Sequence, residues 1–517
     1  MTVANAPWAS GPLRLGVAGA GLMGRGIAQV ALQAGMEVML HDKRPGAWSE
    51  ARAHIENALE STAARGHLSQ DAARSALGRL HDASSLQAMA GCAIVIEAIV
   101  ESLPAKQALM QALEEVVSDG CILATNTSSL LVTEVASACR HPSRVGGLHF
   151  FSPVPRMRVT EVIAGARTEP WVVPALEAFS QRLGHTPVRA QDTPGFIVNH
   201  AGRAYGPEAV RIASEGIADF QVIDAILRDA CGFRMGPFEL FDLTGLDVSH
   251  PAGESIYRQF YEEPRFRPAL LLRQRLAAGL LGRKSGGGFY AAADQQQSVA
   301  TAPVVPTPLP TPSMAVPVWL SAVEDARHGG GVRSALSGWA AALETGPEPS
   351  AQALCLVTPV GEDTTTTALA QGLDPARTVA VDPLFFGARH ATLMTCPATL
   401  PAFRDQARAL FARGGRSVAV VHDSPGFVAQ RVLAAIVNVA CDMAQQGIAR
   451  PADIDRAVVL ALGYPRGPFA WGDALGAGTV LRILNGLYDR YLDPRYRPSA
   501  WLSRRAALGL PLGVPDG

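Results

Sequence analysis

Short apolar runs alternate with helix-like stretches over the first 190 residues of this 517-residue chain. The runs cover Leu13 to Gly19, Glu37 to Leu40, Ala93 to Glu97, Ile122 to Thr125 and Val145 to His149. Strands separated by helices predict a parallel, doubly wound sheet, and strands covered on both faces are expected to be apolar throughout. We therefore predict an α/β domain over residues 1–190.

The apolar spacing becomes helical after Asp192. Thr193 is followed by Pro194, which predicts an N-cap and a proline at the first helical position. The helical spacing is interrupted near Gly216, Gly232 and Pro264. We predict an all-helical domain over residues 191–292. The proline-rich stretch over residues 293–317 is expected to be an extended linker.

The two sides of this linker share sequence motifs. DTPGF at 192–196 recurs as DSPGF at 423–427, and MGPFEL at 235–240 recurs as RGPFAW at 466–471, both at an offset of 231 residues. RFRP at 265–268 recurs as RYRP at 495–498. Because this period is far too long for a solenoid, we predict a duplicated pair of domains. The second α/β domain is expected over residues 318–422 and the second helical domain over residues 423–517.

Composition narrows the class of protein. The chain has 45 Lys and Arg residues against 46 Asp and Glu residues, and this balance disfavours nucleic acid as a partner. No apolar run reaches the length of about 18 residues that a membrane helix needs, and the N-terminal stretch does not resemble a signal peptide. The seven cysteines are dispersed without a Cys-x-x-Cys pair, which favours reduced thiols and no structural metal. We expect a cytoplasmic protein with no membrane partner.

A glycine motif follows the first apolar run. LRLGVAGAGLMG ends in Gly19-x-Gly21-x-x-Gly24, and a helical stretch comes next. These glycines suit a tight turn, the approach of a pyrophosphate, and close packing of a helix on a strand. Asp42 lies 18 residues after Gly24, where an acid holds ribose hydroxyls. The pattern predicts NAD rather than NADP, although the basic residues Lys43 and Arg44 follow Asp42.

A histidine and a glutamate form the second candidate cluster. His149 ends an apolar run, at the edge of a sheet where ligands bind, and Glu161 follows twelve residues later. A carboxylate on one ring nitrogen would leave the other nitrogen as a general base. The residues alone favour a catalytic pair and a purely structural, buried His–Glu ion pair equally. Asn199, read locally, fits an ordinary position on a helix.

The motifs as a set resemble the (S)-3-hydroxyacyl-CoA dehydrogenase family. They are GAGLMGRGIAQV, IEAIVESLPAKQALM, TNTSSL, GLHFFSPVP, DTPGFIVN and MGPFELFD. The resemblance covers roughly residues 12–290 closely and 350–510 more loosely. It implies a Rossmann-like NAD-binding domain, a helical C-terminal domain and an acyl-CoA substrate. The reaction that it implies is NAD-dependent oxidation of a 3-hydroxyacyl-CoA to a 3-oxoacyl-CoA.

The resemblance also assigns roles to individual residues. His149 is implied to be the general base and Glu161 its partner, while Ser128 and Asn199 are implied to bind the substrate oxygen or the imidazole. The residues that it places at the cofactor are Gly19, Gly21, Leu22, Met23, Gly24, Asp42, Glu101, Lys106 and Asn126. Glu101 and Lys106 are expected to line the nicotinamide ribose.

The duplicated arrangement resembles the 3-hydroxyadipyl-CoA dehydrogenases of the phenylacetate pathway. Their substrate carries a distal carboxylate, so a cation is expected in the acyl pocket. Arg203, one helical turn after Asn199, and Arg156 are the candidates, and both are equally compatible with a solvated surface position. Ser152 replaces the usual asparagine of HFFNP, and His200 replaces the usual arginine after GFIVN. Arg65 is a candidate contact for the CoA nucleotide.

The second half is expected to lack an active site. Alignment of the halves places Asp382 opposite His149, Thr392 opposite Glu161 and Gln430 opposite Asn199. The strand-like residues 353–357 lead into Glu362 and Asp363, two acids that would repel a phosphate at the place where the first half has glycines. The second helical domain is expected to form an internal pseudo-dimer with the first, and a further homodimer stays open.

Other functions compete with this interpretation. A short-chain 3-hydroxybutyryl-CoA dehydrogenase of fatty-acid or butanoate metabolism is the first alternative, and a non-catalytic NAD-binding or crystallin-like relative is the second. A 6-phosphogluconate-type dehydrogenase is disfavoured because no lysine lies between Asp192 and Gly282. A fused enoyl-CoA hydratase is disfavoured because no segment is left to form one.

Overall fold

The structure is a computed structural model that describes residues 11–291, 317–321, 326, 330–338, 343–387, 389–413 and 415–515. The predicted linker over 293–317 lies outside these residues except for its last position. The chain divides into two compact units. One comprises Met1–His200 and Gln446–Leu462, and the other comprises Ala201–Gln445 and Gly463–Gly517.

The strands, in chain order, are β1 (Arg14–Ala18), β2 (Glu37–His41), β3 (Leu80–Asp82), β4 (Ile94–Glu97), β5 (Ile122–Thr125), β6 (Val145–Phe150), β7 (Val159–Ala164), β8 (Thr186–Gln191), β9 (Val318–Leu320), β10 (Leu343–Glu344), β11 (Leu354–Val357), β12 (Thr378–Val381), β13 (His390–Thr395) and β14 (Ser417–His422).

The helices are α1 (Leu22–Gln33), α2 (Ala47–Ala64), α3 (Gln70–Gly78), α4 (Leu103–Glu114), α5 (Val132–Ala136), α6 (Val172–Arg182), α7 (Val198–Ser214), α8 (Phe220–Asp229), α9 (Pro237–Thr244), α10 (Leu246–Gln259), α11 (Leu270–Ala277), α12 (Gly331–Leu336), α13 (Thr364–Ala370), α14 (Pro401–Arg413), α15 (Ala429–Gln445), α16 (Pro451–Leu462), α17 (Pro468–Leu475), α18 (Ala477–Tyr491) and α19 (Ala500–Leu508).

The first unit is built on an eight-stranded sheet in the order β3-β2-β1-β4-β5-β6-β7-β8. The five predicted strands are present to within one residue at each end, and β4, β5 and β6 are buried throughout, as strands covered on both faces should be. The sheet confirms the predicted doubly wound α/β class. The order reverses beside β1, so the turn after β1 lies at a topological switch point, where α/β sheets bind ligands.

Two features of this unit differ from the prediction. β7 runs antiparallel to β6, because the connection from Phe151 to Arg158 contains no helix and a short connection reverses the chain. Helix α7 begins at Val198 and not at Pro194. Gly195 and Phe196 adopt φ values of +78° and +46°, and this left-handed turn delays the helix by four residues. Asn199 therefore lies in the first turn of α7.

The second unit contains a six-stranded sheet in the order β10-β9-β11-β12-β13-β14. The strands β11 to β14 repeat the arrangement of β5 to β8, including the antiparallel step between the second and third strand of the set. Helices α8 to α11, α15 and α17 to α19 belong to this unit, and α8 contacts β13. This second sheet with its helices confirms the predicted second copy.

The helices carry no membrane-spanning candidate within the described part of the chain, since none of them is both long and apolar enough. The seven cysteines all lie in described residues, where they are buried and form no disulfide. The described residues also hold no group of three or more His, Cys, Asp or Glu side chains placed to bind a metal ion.

Candidate active site

The glycine turn between β1 and α1 is closed on one side and open on the other. Gly19 has a φ of +113°, and a Cβ there would lie 2.4 Å from a backbone oxygen. A Cβ on Gly24 would lie 1.7 Å from the Gly19 carbonyl oxygen, whereas a Cβ on Gly21 would meet nothing within 4 Å. The turn thus presents an open face at the helix N-terminus, where Leu22 and Met23 begin α1 and backbone N–H groups are free for a phosphate.

Asp42 lies beside this turn, directly after β2. Its carboxylate accepts hydrogen bonds from the backbone N–H groups of Ala20 and Arg44, each at 2.8 Å. The guanidinium of Arg44 is paired with Glu50 at 2.6 Å on the surface. The Arg44 side chain therefore already has a carboxylate partner. An open phosphate face and a fixed carboxylate for the ribose hydroxyls are the features that NAD requires, so the residues fit this cofactor.

His149 and Glu161 face each other across β6 and β7. They are opposite residues in the antiparallel register, and Nδ1 of His149 lies 2.6 Å from Oε2 of Glu161. Both side chains are buried. The rings of Phe151 and Phe196 pack around the imidazole. Because the carboxylate occupies Nδ1, the atom left to accept a proton is Nε2, which makes no hydrogen bond to any described residue.

The second oxygen of Glu161 connects this pair to helix α7. Oε1 accepts hydrogen bonds from the backbone N–H groups of Ile197 and Val198, both at 2.8 Å. The next residue, Asn199, donates from Nδ2 to the carbonyl oxygen of Ser128 at 3.2 Å. A single buried carboxylate therefore aligns the imidazole with the helix start, and it brings Asn199 to the loop that carries Ser128.

The loop after β5 is held from two sides. Asn126 accepts a hydrogen bond from the backbone N–H of Phe150 at 2.8 Å, next to His149. Glu101 accepts hydrogen bonds from both the backbone N–H and the hydroxyl of Ser128, at 2.9 and 3.2 Å. Burial alone would raise the pKa of Glu101, but the nearby ammonium of Lys106 and these hydrogen bonds outweigh it and lower the pKa to about 2.

Lys106 and Glu97 lie beneath this loop. Nζ of Lys106 is 2.7 Å from Glu97 and 3.2 Å from Glu101, and the lysine side chain is only 1 % exposed. Sequence reasoning missed Glu97, Thr127 and Asp192. The available signal for Glu97 was a carboxylate at the end of an otherwise apolar strand.

The predicted substrate-binding residues differ in their exposure to solvent. Arg65, Ser152 and Arg156 are exposed, within the first unit. Arg203 belongs to the second unit, where it is half-buried and lines a cavity with Glu208. Burial lowers the pKa of the Arg203 guanidinium. Arg203 is thus the one residue of these four that is not exposed, and it lies one turn along α7 from Asn199.

The second copy keeps the backbone of this site without its side chains. The backbone N–H of Asp382 donates to the carbonyl oxygen of Thr392 at 3.0 Å, which is the cross-strand position of the His149–Glu161 pair. Gln430 donates from Nε2 to Oδ1 of Asp382 at 2.9 Å. The other carboxylate oxygen, Oδ2, is buried without a hydrogen bond. Burial raises the pKa of Asp382 to about 6.

One expectation about the second copy is wrong. Strand β11 pairs with β12 as β5 pairs with β6, so Glu362 and Asp363 correspond to Leu130 and Leu131 and not to the glycine turn. The prediction matched β11 to β1, because short apolar strands have similar sequences, whereas the pairing matches β11 to β5. The side chain of Asp363 caps α13 by accepting from the backbone N–H of Thr366.

Comparisons with known proteins identify the family of this chain. Residues 14–193 match the 3-hydroxyacyl-CoA dehydrogenase NAD-binding domain, and the C-terminal domain of the same family matches twice, at residues 195–292 and 426–512. The chain is similar to 3-hydroxyadipyl-CoA dehydrogenase of Escherichia coli strain K12, with 36% identity over 95% of this chain and 97% of that protein.

Two further matches differ in length: one is about as long as this chain, and the other is about half as long. A crystal structure named 3-hydroxybutyryl-CoA dehydrogenase, from Escherichia coli K12, has a TM-score of 0.82 and 34% identity, covering 96% of this chain and 99% of its own. A probable 3-hydroxybutyryl-CoA dehydrogenase of Deinococcus radiodurans is 39% identical over 54% of this chain and 99% of its own length. The chain belongs to the 3-hydroxyacyl-CoA dehydrogenase family.

Proposed function

We propose that this protein oxidises (S)-3-hydroxyacyl-CoA thioesters to 3-oxoacyl-CoA thioesters with NAD, and that the first copy alone performs the reaction. The observation that carries the proposal is the buried His149–Glu161 pair, whose Nδ1 to Oε2 distance is 2.6 Å. A base with one nitrogen fixed by a carboxylate and the other unoccupied suits removal of the hydroxyl proton.

His149 takes the proton of the 3-hydroxyl on Nε2. Glu161 stabilises the imidazolium that forms and keeps the ring oriented, since its other oxygen is held by the backbone N–H groups of Ile197 and Val198 at the start of α7. Asn199 and Ser128, which contact each other, hold the substrate oxygen toward the imidazole. The glycine turn and Asp42 bind NAD, which supplies the acceptor for the hydride that leaves C3.

The assay is oxidation of NADH by acetoacetyl-CoA, followed by absorbance. We expect turnover by the wild type and a clear loss for Asn199→Ala, because the substrate oxygen loses a donor. Arg140→Ala, at an exposed arginine that pairs with Glu115 outside the site, serves as a fold control for this loss. A wild type that binds NADH without turnover would support the crystallin-like or NAD-binding alternative. That alternative is disfavoured because all four residues are retained, with His149 hydrogen bonded to Glu161 and Asn199 to the carbonyl oxygen of Ser128.

The substrate that we favour is 3-hydroxyadipyl-CoA, an intermediate expected in aromatic degradation through phenylacetate. The similarity to a protein of that name extends over nearly the whole of both chains. Arg203 is the cation that we propose for the distal carboxylate, with Arg156 as the second candidate. Relatives named for 3-hydroxybutyryl-CoA support the short-chain alternative.

Comparing kcat/KM for hydroxyadipyl-CoA and hydroxybutyryl-CoA separates these substrates. Arg203→Leu should reduce the preference for hydroxyadipyl-CoA, and Arg156→Leu tests the second candidate. Arg140→Leu is the matched control at an exposed arginine outside the site. An unchanged preference in Arg203→Leu removes this residue from the proposal, and a wild-type preference for the four-carbon substrate favours the short-chain alternative.

We also propose that the two helical copies form an internal pseudo-dimer, since equivalent residues make reciprocal contacts. Arg265 donates to the carbonyl oxygen of Arg497 at 2.9 Å, and Arg495 donates to that of Arg267 at 3.1 Å. These are the two copies of the RFRP and RYRP motif. Residue i of one copy thus contacts residue j of the other and vice versa, which is the pattern of a two-fold interface.

The backbone shows the same reciprocity. The N–H of Gln191 donates to the carbonyl oxygen of Ile448, and the N–H of His422 donates to that of Ile217. Both pairs join an α/β domain of one copy to a helical domain of the other copy. Light scattering tests the proposal, and we expect a monomer's mass. An obligate dimer that exposes these motifs to a second chain would overturn it.

The charges of the interface favour this pairing of unlike copies. Arg431, which is fully buried, donates from Nε and Nη2 to Glu208 at 3.0 and 2.8 Å. The equivalent positions hold His200 and Val439, so neither copy carries both partners. Two first copies would bury Glu208 without an arginine opposite, which disfavours a homodimer through this face.

The buried thiols, none in a disulfide, support a reducing compartment such as the cytoplasm.

A further inference from the structure

A buried carboxylate at the end of β4 takes no part in the proposed reaction. Glu97 has a side-chain exposure of 0 %, and both of its oxygens are occupied. Oε1 accepts from the backbone N–H of Ile99 at 2.8 Å and from Nζ of Lys106 at 2.7 Å. Oε2 accepts from the hydroxyl of Thr125 at 2.7 Å. The carboxylate therefore joins the ends of β4 and β5 to helix α4.

The ammonium of Lys106 links Glu97 to a second carboxylate. Nζ lies 3.2 Å from Oε2 of Glu101, so one cation is shared by two acids. Lysine carries a long flexible stem, and a single partner would leave its head free to move. Because Glu97 is fixed by strand backbone and by Thr125, it determines where this ammonium stands and hence where Glu101 is held.

The other oxygen of Glu101 gathers the loop that carries Ser128. Oε1 accepts from the Thr127 hydroxyl at 2.7 Å, from the Ser128 backbone N–H at 2.9 Å and from the Ser129 backbone N–H at 3.0 Å. The hydroxyls of Ser128 and Ser129 approach the same atom. One carboxylate oxygen thus sets the conformation of three consecutive residues, among them a residue of the proposed substrate site.

We propose that Glu97 is a positioning residue for Ser128, acting through Lys106 and Glu101. The proposal rests on the proposed function, which gives Ser128 its role. A purely structural alternative would be a buried ion pair that stabilises the fold and leaves the loop unaffected. The two differ in what happens when both charges of the pair are removed together.

The variants are Glu97→Gln, Lys106→Met and the double variant, with Glu114→Gln as the control. Glu114 is another buried carboxylate of the same unit, and it accepts from the backbone N–H groups of Arg140 and His141, outside the site. Hydrogen exchange of the free protein over residues 125–131 reports the loop directly. Turnover with acetoacetyl-CoA and NADH reports the site.

We expect faster exchange over residues 125–131 in Glu97→Gln and Lys106→Met. We also expect kcat/KM to fall by about tenfold to a hundredfold, as for residues that orient a site through another side chain. Lys106→Met should also add an acid limb to the pH profile, because Glu101 loses its cation and titrates at a higher pH. Lys106→Arg should restore part of the activity. Glu114→Gln should change neither the exchange nor the turnover.

The double variant decides between positioning and mere stability. Removal of both buried charges should recover the thermal stability that Lys106→Met loses, while the loop exchange of the cofactor-free protein stays fast. Return of slow loop exchange together with stability in the double variant would overturn the proposal, as would unchanged loop exchange in Glu97→Gln. If Glu97→Gln does not fold, the double variant gives the same decision. An inactive wild type would instead refute the proposed function.

Discussion

The two copies place different side chains on the same strand pairing. In the first copy, the cross-strand position of β6 and β7 holds His149 and Glu161, at 2.6 Å. In the second copy, the equivalent position holds Asp382 and Thr392, which share a backbone hydrogen bond. Asp382 is buried and its Oδ1 already accepts a hydrogen bond from Gln430, whereas Nε2 of His149 is left to accept the hydroxyl proton. The second copy therefore keeps the strand pairing of the site without the His–Glu pair.

The residues that both copies keep are those with a structural task. Asp192 accepts from the first backbone N–H groups of α5, and Asp423 accepts from those of α13. Phe196 and Phe427 share a left-handed φ, at +46° and +50°. That both copies keep this turn and its cap while the catalytic residues differ supports our proposal that the second copy serves packing.

The largest effect is expected from His149→Ala. Loss of the general base should lower turnover by about two to four powers of ten, while NADH affinity changes little because the cofactor residues are untouched. Stopped assays of turnover and fluorescence titration of NADH check the two parts. Near-normal turnover would contradict the assignment of His149.

Arg431→Leu should destabilise the protein by about 3–5 kcal/mol, because Glu208 would remain buried without its cation. The double variant Glu208→Leu with Arg431→Leu should recover much of this loss, since no isolated charge is left. Denaturant unfolding of the wild type, both single variants and the double variant measures the coupling. Additive losses would show that the pair does not join the helical copies.

Asp382→Asn should stabilise the protein above pH 6 and leave turnover unchanged. The pKa of Asp382 is about 6 in the folded chain against an ordinary value of 3.8, so the folded wild type loses stability as the pH rises between these values. The variant escapes this loss, which is on the order of 3 kcal/mol for this rise in pKa. Unfolding measured at pH 4 and pH 8 should show a difference between the proteins only at the higher pH. A variant less stable than the wild type at pH 8 would contradict the raised pKa.

The smallest effects are expected from the two caps. Asp192→Ala and Asp423→Ala should each lower stability by about 1–2 kcal/mol, because each leaves two backbone N–H groups of a helix start unsatisfied. Only Asp192→Ala should also affect turnover, since it lies in the copy that carries the site. Equal effects on turnover would mean that the second copy contributes to the reaction.

Much of the first copy was predictable because its signals are local. The glycine turn, the apolar strands and the repeat of DTPGF follow from short stretches of sequence. The antiparallel β7 and the late start of α7 were not predictable from such stretches, because a connection without a helix and the left-handed turn at Gly195 and Phe196 decided them. Glu97 was missed for a similar reason, since its partners Lys106 and Thr125 lie 9 and 28 residues away.

The contacts between the two copies join residues that are even farther apart in the sequence. The repeat at an offset of 231 residues showed that the copies exist. Which surfaces meet is decided by pairs such as Arg265 with Arg497, separated by 232 residues. Nothing near either arginine distinguishes an interface residue from a solvated one.

The claim that only the first copy is an active site is tested most directly by the turnover of two variants, one in each copy. His149→Asp gives the first copy the residue of the second, and Asp382→Asn neutralises the equivalent position in the second copy. With NAD and an (S)-3-hydroxyacyl-CoA, we predict that NADH formation is lost in His149→Asp and is unchanged in Asp382→Asn. Residual turnover in His149→Asp that disappears on adding Asp382→Asn would show that the second copy is an active site.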